Sequence, residues 1–115
     1  MQNDVHEIEM SIEEANRKIK KMKDLDDLVN NPIFDELITT GYLEQEPARL
    51  ALLTTDPMMQ EPLDQDNLFS RIKGIGHFRE FLMVTRREGK AAQSALVSHE
   101  EELELAHAEE AEDSE

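Results

Sequence analysis

The tetrapeptide Glu104-Leu105-Ala106-His107 sets a carboxylate and an imidazole three residues apart. On a helix both would share one face, as in half of a carboxylate-bridged di-metal site. A working centre takes two such motifs and two further glutamates inside a buried bundle. Here His6 and His99 do not follow an acid at that spacing, and residues 100–115 are too polar to line a dry cavity. The match is one that a glutamate run produces by chance, so no metal, no cofactor and no catalytic residue is expected. Neither a Ser, His and Asp order nor a paired-carboxylate spacing stands out from the background of 27 acids.

The second candidate is RIKGIGHFREFL, residues 71–82, with two glycines around one isoleucine. A phosphate loop needs a strand before it and a further glycine or a Lys-Ser/Thr pair after it, so that backbone amides converge at a helix N-terminus. None of that context is present. Gly74 and Gly76 instead read as places where another backbone approaches or where a helix bends. Phe69, Ile72, Ile75, Phe78, Phe81 and Leu82 supply more bulk than any other window and form the expected packing centre. The cations Arg71, Lys73, Arg79, Arg86 and Arg87, with His77 among them, are the candidate contact for an acidic partner. Binding of single-stranded nucleic acid would want exposed aromatics between the cations. Phenylalanines at core spacing argue against direct nucleic-acid contact.

Composition narrows the classes further. The 115-residue chain has a formal net charge of -15, no Cys and no Trp, which fits one small domain with a modest core. Without cysteine there is no disulfide, thiolate metal site or thiol nucleophile. The opening MQNDVHEIEM carries acids where a signal peptide would need a basic patch and an apolar run, and no apolar stretch approaches membrane-spanning length. A soluble, unprocessed chain that makes no membrane contact is expected. The acidity repels phosphate-rich surfaces and favours neutral or basic partners. Two basic islands interrupt it, at residues 17–23 and 71–90, while residues 91–115 hold no Lys or Arg.

The elements that must position these residues are all helical, since no period-two apolar run occurs. Val5, Ile8, Ile12, Ala15, Ile19 and Met22 alternate at spacings of three and four, the seam of a coiled coil. Residues 1–29 are thus an N-terminal coiled-coil helix, broadening near Leu25, Leu28 and Val29 and stopping at Asn30-Asn31-Pro32. Residues 30–62 are read as short helices and a Pro-rich loop: one helix from Pro32 ends at Gly41 as a left-handed cap, a second restarts or kinks at Pro47, and Met58-Met59 lie between prolines in the loop. Those methionines either grip a partner's groove or fold back over the core. Residues 63–99 form a long core helix, its start capped by Asp64 or Asp66, and residues 100–115 an acidic helical extension or disordered tail. Its seam reads Ile75, Phe78, Leu82, Thr85, Gly89, Ala92, Leu96, His99, Leu103 and Ala106.

The expected fold class is all-α: two long amphipathic helices forming an antiparallel hairpin or coiled coil, with short helices between them. Setting Val29 opposite Leu82 would run Glu7, Glu9, Glu13 and Glu14 alongside Glu100 to Glu104, which repulsion opposes. A slid register, with Lys20 to Lys23 meeting Glu100 to Glu102, removes the conflict. Alternatively the N-terminal seam pairs with a second copy, and Val5, Ile8, Ile12, Ala15, Ile19 and Met22 become the expected oligomer interface.

Across residues 28–83 the chain resembles small helical proteins encoded by tailed bacteriophages. The likeness rests on Asn31-Pro32-Ile33-Phe34, Leu37-Ile38, Gly41-Tyr42-Leu43, Ala48-Arg49-Leu50, Asp56-Pro57-Met58-Met59-Gln60 and Ile75-Gly76-His77-Phe78-Arg79-Glu80-Phe81-Leu82. It covers about half the chain, and Pro47 departs from it where similar proteins prefer a helix former. It implies a non-enzymatic structural or assembly role, with a homo-oligomer and a virion or host protein as partners, in the host cytoplasm or the virion. The alternative is an acidic inhibitor that mimics nucleic acid and occupies a basic groove on a host DNA- or RNA-processing enzyme.

Overall fold

Asn31 sets the first boundary. Its backbone is extended (φ -70°, ψ 125°), and its Oδ1 accepts from the backbone N–H of Ile33 at 2.9 Å and of Phe34 at 3.4 Å. That cap, followed by proline in the first turn, ends one helix and starts the next. The computed structural model describes residues 2–113, with side chains from Asp4 onward. Helix α1 spans Gln2–Val29, α2 Pro32–Phe34, α3 Glu46–Leu53 and α4 Pro62–Asp113. Among the described residues there is no strand.

Between α2 and α3 the chain does not stop at Gly41 or break at Pro47, as the sequence suggests. Asp35–Gln45 continues as a π-helix, and no described residue has a positive φ. Proline supplies the reason. In α geometry the Pro47 ring would meet the carbonyl of Leu43, and it has no N–H to donate; wider turns move that carbonyl aside. Glu46 N–H accordingly donates to Gly41 O, five residues back. Gly41 has a role in the winding, because a Cβ there would lie 3.1 Å from Glu36 O.

The loop after Leu53 is shorter than expected. Asp56 caps a 3-10 turn, Pro57–Met59, by accepting from Met58 N–H at 2.9 Å. Gln65 Nε2 donates to the carbonyls of Thr54 (3.0 Å) and Met59 (2.7 Å), tying the loop to α4. Helix α4 begins at Pro62, so Asp64 and Asp66 lie inside its first turns rather than capping it. Proline's fixed φ suits that first position.

The chain divides into two units. Unit 2, Leu25–Val84, is built on Leu43, Leu50, Leu68 and Ile75, with Ile38, Leu53, Met59, Ile72 and Leu82 packed around them. Leu50 and Leu68 are 0% and 1% exposed. Burial of this completeness contributes about 1.5–3 kcal/mol per side chain. The residues expected as a packing centre divide between core and surface. Ile72, Ile75 and Leu82 belong to the core, whereas Phe69, Phe78 and Phe81 are exposed by 50%, 39% and 57%. The face that α4 turns to the core runs through Leu68, Ile72, Ile75 and Leu82, and the rings sit on its flanks.

Unit 1 comprises residues 1–24 and 85–115, where α4 packs against α1. Ala15, Ile19 and Ala92 are buried together with Leu96 against them. Met22 lies over Gly89, and a Cβ added at Gly89 would collide with Met22 Cβ and come within 2.7 Å of its Sδ. Of the expected seam, Ile75, Leu82, Thr85, Gly89, Ala92, Leu96, His99, Leu103 and Ala106 are buried or half-buried, and Phe78 is exposed. Gly74 and Gly76 meet nothing within 4 Å, so the close approach expected of them falls at Gly89 instead.

Replacing Gly89 by Ala should destabilise unit 1 by roughly 1–3 kcal/mol through overpacking. Gly74→Ala should stabilise the helix by about 0.5–1 kcal/mol, because nothing stands in the way of the new methyl. Leu50→Ala should lose about 2–5 kcal/mol, and Leu52→Ala, at an exposed position, within 0.5 kcal/mol of nothing. Urea unfolding followed by circular dichroism checks all four.

Candidate interaction surface

The residues expected to hold an oligomer together are largely occupied inside the chain. Ala15, Ile19 and Met22 are buried, and Val5, Ile8 and Ile12 are half-buried on the same stripe. Ile8, Ser11 and Glu7 share an open groove with His99, Glu102, Leu105, Ala106 and Glu109 of α4. The seam thus faces α4, and it is not a free surface for a second copy. The slid register is also corrected. Met22 against Gly89, and Ala15 and Ile19 beside Ala92, follow the register that charge repulsion disfavoured. Exposed like charges in water cost well under about 1 kcal/mol per pair, less than the burial of one large side chain returns.

The surface that remains open is on unit 2. Ile33, Leu37, Leu52, Met58, Leu63, Phe69, Phe81 and Met83 are all exposed. Of the adjacent loop methionines, Met59 folds onto the core and Met58 stays 84% exposed. Tyr42 meets Phe78 edge to face at 6.1 Å and 72°, a geometry worth roughly 0.5–1.5 kcal/mol beyond area.

The five candidate cations do not gather into one patch. Arg71 reaches back to Glu46 (Nη2–Oε1 3.6 Å), which Arg49 also binds through Nε at 3.0 Å. Lys73 and Arg79 are exposed on unit 2, and Arg86 and Arg87 fall in unit 1. Two acids, Asp66 and Glu80, stand seven residues either side of Lys73. A seven-residue charge period was the signal available in the sequence. In unit 1, His99 Nδ1 is buried without a hydrogen-bond partner in the seam. Glu104 and His107 are exposed, and among the described residues no three potential ligands converge on a metal position.

The hydrogen bond from Arg49 holds the Glu46 carboxyl below its ordinary range; partial burial opposes this, and the charges of Arg49 and Arg71 add to it. A depressed folded value means the pairing stabilises above the ordinary glutamate range and is lost as pH falls through the lower folded value. Arg49→Ala should move the Glu46 midpoint back up, as read by NMR titration of its side-chain carboxyl. No family model, curated protein or solved structure matches this chain.

Proposed function

We propose that the chain is a non-enzymatic, oligomeric interaction protein of a tailed bacteriophage, acting in virion structure or assembly as a component, adaptor or chaperone. The supporting observation is the imbalance in unit 2, where the buried cluster of Leu43, Leu50, Leu68 and Ile75 carries a surface with more large apolar side chains than the cluster itself. Surfaces of that kind exist to be covered by protein. In this reading the paired segments of unit 1 form an antiparallel coiled-coil arm whose acidic exterior limits premature aggregation. The partners are further copies of the chain and a virion or host protein, met in the host cytoplasm or the particle. No helix among the described residues is long and apolar enough to cross a membrane.

A second reading is favoured by one feature. Asp4 and Glu7 of α1 line the same groove as Glu102 and Glu109 of α4, so carboxylates from two helices converge as they would in a nucleic-acid mimic. The two basic islands interrupt such a surface.

Deleting the gene should leave unfinished heads or tails in electron micrographs of infected cells. Normal particle yield would refute the assembly role. Deleting residues 100–115 separates the readings: an inhibitor loses its host target, whereas an assembly protein keeps its oligomer.

A further inference from the structure

Two columns run along one face of α4, each with a seven-residue spacing. The first is Phe69, Gly76 and Met83; the second is Asp66, Lys73, Glu80 and Arg87. All seven residues are exposed, and Gly76 has nothing within 4 Å of where its Cβ would be. Seven residues of helix rise about 10.5 Å, too far for successive charges in the second column to pair. None of the four has a residue of opposite formal charge three or four positions away, so the helix cannot satisfy them locally either. Among the described residues none of them makes an ion pair.

Read in chain order, the second column is negative, positive, negative, positive. Read backwards, it is the complement of itself. We propose that this face of α4 pairs, antiparallel, with the same face of a second copy about a two-fold axis at Gly76-His77. Lys73 then meets Glu80 of the second copy, and two turns outward along the same helix Asp66 meets Arg87 of the second copy, each contact occurring twice. Phe69 lies beside Met83 of the second copy, and glycine on the axis lets the two backbones approach without an intervening side chain. A parallel in-register pair would set like charge against like at all four positions. An acidic partner would leave Asp66 and Glu80 facing acids, and a basic one Lys73 and Arg87 facing bases. Of these pairings, only the antiparallel one with this chain's own face answers all four charges. One helix face is at the low end of specific interface sizes, so the dimer forms on the order of micromolar concentration.

The inference deepens the oligomeric half of the proposed function and rests on it, and its test is independent of any role in a particle. Sedimentation of the full chain across the micromolar range should show a reversible monomer–dimer equilibrium. Lys73→Glu alone and Glu80→Lys alone should each weaken it at least about tenfold, because each sets like charges opposite one another twice. The two single variants mixed should form a heterodimer, and the double variant Lys73→Glu with Glu80→Lys should regain the wild-type constant. Gly76→Ala should weaken dimerisation while helicity in circular dichroism holds or rises. A wild-type chain that stays monomeric overturns the proposal. So do single variants that dimerise like wild type, which would leave self-association through another face intact, and a double variant that remains monomeric at wild-type helicity. A dimer that behaves as expected in a chain dispensable for particle formation would refute the assembly role alone.

Discussion

The register of unit 1 hangs on one contact, Met22 over Gly89. Glycine leaves a notch one side chain deep, and methionine, with three rotatable bonds, is the side chain best able to fill it. Moving the helices by a single turn would present Met22 to Thr85 or Ala92 and take it out of the notch at Gly89. The small residues that follow, Ala92 opposite Ala15 and Ile19, keep the helices close for another turn. This contact geometry prevails over the repulsion between the acids of residues 4–14 and those of residues 100–110. Burial acts at van der Waals distance in a nearly dry seam, while the carboxylates point into water and are screened.

Unit 2 is governed by a different constraint. A proline inside a helix removes one donor and crowds one carbonyl, and here the helix absorbs both by widening over Asp35–Gln45. A wider helix turns its side chains at a different pitch. Leu43 and Leu50 still reach the core, but Leu37 and Tyr42 face outward. The surplus of exposed apolar surface therefore follows in part from backbone winding.

The two long helices, the boundary at Asn30-Asn31-Pro32 and the part of the α4 seam from Thr85 to Ala106 were legible, because a three-and-four alternation and an Asn-Pro boundary are local signals. What was not legible depended on geometry that a pattern does not carry. Gly41 looks like a terminus only if the helix is assumed to be α-helical, and the π-winding that keeps it internal has no recognised sequence signature. Phe69 and Phe81 look like core because they are large, yet the core face of α4 is narrow and aliphatic. The cations looked like a patch because they are close in sequence; on the helix they separate into an ion pair with Glu46, two exposed residues of unit 2 and two of unit 1. The seven-residue spacing of Asp66, Lys73, Glu80 and Arg87 is positional information that a net charge does not carry.

A chain with a net charge of -15 has reason to use positional charge for self-recognition. Two copies repel at long range, so any attraction between them must operate inside the screening length, about 8 Å at physiological ionic strength. Apolar contact alone meets that requirement but carries little orientation, and a surface rich in exposed leucine, methionine and phenylalanine would stick in many ways. In the proposed pairing, a column of charges complementary to its own reverse supplies the missing selectivity, because a parallel pairing or one shifted by seven residues sets like charge against like. In the proposed dimer, the acidity that keeps copies apart and the alternation that lets one face meet are two parts of the same device, the first acting at distance and the second at contact.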